Sequence, residues 1–257
     1  LADGKTEETE EMSYFMPTNL LVTAPEIIFF WVARMIMASL KFKGQIPFKD
    51  VYFTSIVRDI KGRKMSKSLG NSPDPVDIIA KYGADAVRFT MIYLSPMGMD
   101  IRLDVNELTQ DVPSMEIGRN FANKIWNAGR FILMKQEEAG ESDIILSEKE
   151  YSTADKWIMS RFHSTVQSIS DALDNHKVTE YSKILYDFIW RDFCDWYVEI
   201  MKVQFAAREE PAYRQGLSNF ALGIFDGILR LLHPVMPFIT EELWLSIANR
   251  DENASIS

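Results

Sequence analysis

The run KGRKMSKSLGN, residues 61–71, gathers side chains suited to holding a multiply charged anion. Lys64 and Lys67 stand three residues apart with small or flexible residues between them, so both ammonium groups can converge on one ligand. Ser66 and Ser68 add hydroxyl donors, and Gly62 and Gly70 let the backbone turn and present its amides. A polyphosphate is the natural target. Negative charge gathers on its leaving group as a phosphorus–oxygen bond breaks, and a well-placed donor lowers such a barrier by roughly 3 kcal/mol. Loss of either lysine should then cost rate more than ground-state binding. A solvated basic turn between a strand and a helix has the same composition, so both readings stand at this point. The string is not a Walker loop, because the chain contains no G-x-x-x-x-G-K-[ST]. The phosphate role fails if the two lysines are directed away from the strand ends or locked into carboxylate pairs.

This basic loop, which also includes Arg58, Lys61 and Arg63, sits in an acidic chain of 257 residues with a formal charge of -9. That balance argues against a general nucleic-acid coat protein but permits a local basic face. Hydrophobic residues make up 47% and charged residues 25%, as a packed globular protein requires. The single cysteine, Cys194, excludes an internal disulfide and reads as a small buried apolar residue. The most apolar piece, IIFFWVARMIMASL, is interrupted by Arg34 and falls short of the roughly 18 apolar residues a membrane span needs. Residues 1–12 are acidic and polar, unlike a secretory signal, so a cytoplasmic location is expected. The first residue is Leu1, which raises the expectation of a piece of a longer protein.

The elements that must position the loop change character near residue 110. Before it, TNLLVT (18–23) and VYFTSIV (51–57) read as strands. Between them PEIIFFWVARMIMASL (25–40) is apolar nearly all round, like a helix buried against a sheet, with Phe30 and Trp31 in the core. Thr23 to Glu26 fits a capping box in which Glu26 bonds back to the first amide of that helix. DPVDIIAKYG carries helix punctuation, with Asp74 as N-cap, Pro75 at the first position and Gly83 as terminator. ADAVRFTMIYL follows as another helix. Strand, helix and strand followed by a ligand-type loop is the grammar of a parallel α/β sheet, whose ligands sit beyond the strand ends.

After residue 110 the patterns are helical. On SMEIGRNFANKIWNAGRFILMK, Ile117, Phe121, Ile125, Ala128 and Ile132 share one face, and Asn120, Asn123, Lys124, Asn127 and Arg130 the other. Residues 137–151 form a polar connection. Long helices are expected at about 153–175, 179–207 and 212–232, with a last one opening at HPVMPFITEELW and His233 at its start. Trp190, Trp196 and Trp244 read as bundle core, and 249–257 as a frayed tail. The expected architecture is mainly α with an α/β part: a truncated Rossmann-like half-domain at 1–110 and an all-α helical bundle at 111–257.

The string KMSKS at 64–68 resembles the second catalytic motif of the class I aminoacyl-tRNA synthetases, and KMSKSLGN the form in their valine, isoleucine and leucine enzymes. VTAPEIIFFWVARMIMASL, YGADAVRF, GRNFANKIWNAGRF, DFIWRDFCDWYVE and LLHPVMPFITEELW resemble counterparts in the same order, from about Pro17 to Trp244. FFWVARM points to the valine-specific members. The resemblance implies ATP-dependent activation of valine and its transfer to tRNA(Val), with Mg2+ accompanying ATP and no protein-bound metal.

By this resemblance Lys67 and Lys64 act on the triphosphate, and Met65, Ser66 and Ser68 lie near the nucleotide. Glu26 faces the ribose, although many relatives have Asp there, and Ile27 lines the valine pocket. The bundle corresponds to an anticodon-binding domain, with Arg119, Lys124 and Arg130 as candidates for tRNA phosphates. The family's first ATP motif, H-x-G-H, is absent, since the histidines are His163, His176 and His233. No editing domain or coiled coil is recognised. The resemblance therefore implies a part of a larger, monomeric enzyme, inactive alone. Alternatives are an isoleucyl or leucyl relative, a non-catalytic helical tRNA-binding module, and a domain whose basic loop docks an acidic partner.

Overall fold

The computed structural model describes residues 9–96, 98–140, 143–248 and 254–256. They divide into two compact units, one built from 1–64 and 95–102, the other from 65–94 and 103–257.

In the first unit α1 (Glu10–Phe15) leads into β1 (Thr18–Thr23), which pairs in parallel with β2 (Phe48–Phe53). The register runs from Thr18 opposite Phe48 to Thr23 opposite Phe53. Parallel neighbours require a crossover, and here it is a 3-10 turn (Pro25–Ile27), a π-helical turn (Ile28–Val32) and α2 (Ala33–Lys43). Gly44, at φ 71°, ends α2 in the left-handed conformation that glycine adopts freely. The strand expected at 51–57 divides in two. β2 stops at Phe53, and β3 (Val57–Asp59) pairs instead with β4 (Ile101–Leu103). The switch is fixed by Ser55, whose hydroxyl donates to Pro96 O (3.1 Å) and accepts from the Ser95 hydroxyl (2.8 Å). Ile101 N then donates to Ile56 O (2.9 Å).

The crossover is not buried all round. Phe29, Phe30 and Trp31 are 75%, 59% and 62% exposed, and only Val32 and Ser39 of residues 25–43 are buried. Phe30 and Trp31 are therefore surface residues, not core. A two-stranded ribbon offers too little area to cover such a helix. The capping box is also not formed. Ala24 occupies the N-cap with no side-chain hydrogen bond, because Thr23 is still paired in β1.

The second unit holds the large core. α3 (Pro75–Tyr82) starts as its sequence demands, with the Asp74 carboxylate accepting from Val76 N (2.8 Å) and Gly83 at φ 92° behind it. α4 (Ala84–Tyr93) packs on α5 (Glu116–Ala139) at Gly118, whose amide donates to Thr90 Oγ1 (3.1 Å). A Cβ on Gly118 would lie 2.2 Å from Ala86 O, so only glycine permits this approach. α6 (Thr153–Asp174), α7 (Val178–Asp187), α8 (Val198–Ala207), α9 (Pro211–Leu232) and α10 (Pro237–Ser246) complete the bundle. α7 and α8 are continuous through a π-helical stretch, Phe188–Tyr197. Phe121, Ile125, Ala128 and Ile132 are buried on the predicted face of α5, with Ile117 half-buried. Among the described residues no strand follows β4, and no helix is long and apolar enough to cross a membrane.

Buried Asp85 on α4 caps α10 from a distance, its carboxylate accepting from Phe238 N (3.3 Å) and Ile239 N (2.7 Å). Arg88 on the same helix donates to Pro234 O and Val235 O. His233 closes α9 rather than opening α10, and its Nδ1 pairs with Thr240 Oγ1 (2.8 Å). Trp244 is buried and Trp190 half-buried, but Trp196 is 60% exposed and not core. It faces outward because Phe193, Cys194 and Tyr197 take the inner side of the π-helical stretch. Cys194 is buried as expected, and burial pushes its thiol up to about 12. Of the tail at 249–257, residues 249–253 and 257 lie outside the described residues, whereas Ala254 and Ile256 pack against the core.

Candidate functional site

The loop motif crosses the boundary between the units: Lys64 ends one and Met65 begins the other. Each side has its own support.

In the first unit β3 runs into a turn organised by Asp59. This buried carboxylate accepts from Arg63 N (2.9 Å) and Arg63 Nε (2.7 Å), and Gly62, at φ 78°, donates its amide to Asp59 O (2.9 Å). The returning chain places Lys64 opposite Arg58 in an antiparallel bridge. Both then reach Glu26. Lys64 Nζ donates to Glu26 Oε2 (3.0 Å), and Arg58 Nη2 lies 3.7 Å from Oε1. Arg58 Nε also donates to Asp100 Oδ2. That hydrogen bond holds the Asp100 carboxyl below its usual range and raises the Arg58 guanidinium above its own.

The Lys64–Glu26 pair is solvent-exposed, with side chains 64% and 45% accessible. Exposed pairs contribute about 0–1 kcal/mol, so this one can open for a stronger anion. Glu26 is thus committed to cations rather than to a helix cap. Ile27, beside it, is half-buried.

In the second unit Ser66 is extended, and its amide donates to Asn71 Oδ1 (2.9 Å). Asn71 is fully buried and so anchors the loop's start. A 3-10 turn, Lys67–Leu69, follows and is closed by Gly70 at φ 67°. The Ser66 and Ser68 hydroxyls lie 2.7 Å apart, and Met65 is half-buried. Lys67 is exposed at the head of the turn, and among the described residues its ammonium makes no ion pair or side-chain hydrogen bond. The turn therefore presents one cation and two hydroxyls to solvent on a firmly tied backbone.

The three cations proposed for tRNA have different surroundings. Arg119 pairs with Glu116 (2.7 Å) and lies over the Tyr82 ring (5.6 Å). Lys124 pairs with Asp195 (2.6 Å) and lies over the Trp190 ring (5.3 Å). Arg130 is exposed, with no such partner among the described residues. At about 100° per residue Lys124 lies well off the line joining Arg119 and Arg130, so the three do not form one row. Arg58, Asp100 and Asn71 lie outside the candidate set but hold its members in place, Arg58 through Glu26, Asp100 through Arg58 and Asn71 through Ser66 N. Arg58 meets Lys64 only because the turn at 60–63 brings the chain back in an antiparallel bridge, and its partnership with Asp100 depends on β4, which is too short to read from the sequence.

A parallel β–α–β unit, the KMSKS loop and a helical bundle follow one another along the chain, and comparisons with known proteins find two matches in the same order. Residues 2–104 match the family described as tRNA synthetases class I (I, L, M and V), and residues 155–257 match the anticodon-binding domain of tRNA ligase. The chain is 44% identical to the valine–tRNA ligase of Chlorobaculum tepidum over 99% of its own length and 28% of that protein. It is 47% identical to that of Fusobacterium nucleatum over 95% and 27%. A Mycobacterium tuberculosis methionyl-tRNA synthetase in complex with methionyl-adenylate superposes with a TM-score of 0.75 at 19% identity, covering 92% of this chain and 45% of that one, a likeness of fold. Residues 2–104 are thus similar to the class I tRNA synthetases and residues 155–257 to their anticodon-binding domain, and the relatives named here are valine–tRNA ligases. It spans about 28% of their length.

Proposed function

We propose that this chain is part of a valine–tRNA ligase. The valine carboxylate attacks the α-phosphorus of ATP, pyrophosphate leaves, and valyl-adenylate forms. A hydroxyl at the 3′ end of tRNA(Val) then attacks the acyl carbonyl and releases AMP. Mg2+ enters with ATP as part of the substrate. Lys67 binds the leaving phosphates. Lys64 exchanges Glu26 for the triphosphate, and Glu26, still beside Arg58, faces the ribose. Met65, Ser66 and Ser68 line the nucleotide, and Ile27 limits the amino-acid pocket. Residues 1–110 contribute to the catalytic domain. Residues 111–257 form the anticodon-binding bundle, with Arg130 the most open of the cations for a tRNA phosphate, followed by Arg119 and Lys124. The location is cytoplasmic.

The observation that carries this reading is Lys67, solvent-facing and without a carboxylate partner among the described residues, at the head of a turn tied down by buried Asn71. A cation without an acid partner can meet a phosphate without first breaking an ion pair. The test is pyrophosphate exchange by the full-length protein that carries this sequence, with valine, isoleucine and leucine offered separately. Exchange with valine at a kcat/KM at least about a hundredfold above isoleucine is expected, the discrimination one methylene permits in an apolar pocket. Preference for isoleucine or leucine, or no exchange with any of them, overturns the reading.

A further inference from the structure

Residues 106–111 form a tight hub beside the loop. Asn106 Oδ1 accepts the amides of Leu108 (3.0 Å) and Thr109 (3.1 Å), and its carbonyl accepts Gln110 N (2.8 Å). Asp111, next in the chain, accepts from the Tyr82 hydroxyl (2.7 Å) and pairs with Lys81 (2.7 Å), which ties the hub to α3. Gln110 stands at φ 57°, the left-handed region that is costly for a residue other than glycine or asparagine. Its side-chain Nε2 donates to Glu107 O (2.8 Å) and to Gly70 O (2.7 Å). Gly70 is the residue that closes the 3-10 turn headed by Lys67.

The position combines a backbone that disfavours glutamine with a side chain that uses glutamine's reach. Glycine would satisfy the backbone and leave Gly70 O without this donor. Asparagine would satisfy the backbone too, but is one methylene shorter. We infer that Gln110 is a positioning residue for Lys67: by holding the Gly70 carbonyl it fixes the far end of the loop, as Asn71 fixes the near end through Ser66 N. The direction of the Lys67 ammonium then depends on two amide side chains at opposite ends of one turn. This inference rests on the ligase reading for its effect on rate, but not for its effect on the loop itself.

The test compares Gln110→Gly and Gln110→Glu with the parent in the full-length protein. The readouts are the thermal midpoint, deuterium exchange of amides 66–71, and the kcat and KM of valine-dependent pyrophosphate exchange. Gln110→Gly relieves the backbone while removing the donor, so its midpoint should equal or exceed the parent's. Its loop amides should exchange faster, and kcat should fall about fivefold, the factor one net hydrogen bond carries, with the KM for valine unchanged. Gln110→Glu keeps the length but cannot donate to a carbonyl, and should lose as much. Parental loop protection and kcat in both variants overturn the inference. So does a midpoint in Gln110→Gly that falls together with its rate, which marks a general folding role. Faster loop exchange in the variants of a protein that shows no valine-dependent reaction supports the anchor and overturns the ligase reading alone.

Discussion

In the bundle unit Phe121, Phe188, Phe193 and Phe225 are enclosed to within 1% exposure, whereas in the strand–helix–strand unit Phe29, Phe30 and Trp31 remain more than half open to solvent. The difference follows from architecture. Helices of the bundle have neighbours on several sides and close a shared core. A crossover helix over two parallel strands has one small neighbour, and parallel sheets are stable when both faces are covered. The difference reaches into the loop motif, because Lys64 stands on the open unit and Lys67 on the closed one. Lys64 is oriented by exposed ion pairs to a carboxylate it shares with Arg58. Lys67 is oriented by a backbone tied to buried Asn71 and to the 106–111 hub.

Substitutions can break this contrast. The largest stability effect is expected for Phe121→Ala, which empties a fully buried site packed among the rings of Phe89, Tyr186 and Trp190; it should cost about 3–5 kcal/mol in urea unfolding of the chain. The smallest is expected for Phe30→Ala. Removing that exposed ring should change stability by about 0.5 kcal/mol or less, measured in the same way. A loss from Phe30→Ala comparable to that from Phe121→Ala would mean that the two units do not differ as described.

Much of this could be read from the chain because it is local. Asp74, Pro75 and Gly83 define α3 through bonds that span only a few residues. The 3.6-residue period of α5 foretold which of its residues are buried. The KMSKS string marks the loop as a candidate by residue type alone. What could not be read is set by distant partners. β4 has three residues and exists because Ser55 and Ser95 bring the chain back to β3. Glu26 had a helix-capping role on paper, but cations 32 and 38 residues away claim its carboxylate. The apolar run at 25–40 predicts burial, yet burial needs a covering surface as well as an apolar side chain. Gln110 gave no signal, since its left-handed backbone and its reach to Gly70 arise from the folding of the hub.

The central claim is that a cation held on the closed unit stabilises departing pyrophosphate, and Lys67→Ala in the full-length protein tests it most directly. Single-turnover measurement of valyl-adenylate formation should show a rate about 10²–10³-fold below that of the parent, with valine affinity changed by no more than about threefold. A rate close to that of the parent, or a loss confined to valine affinity, would contradict the account.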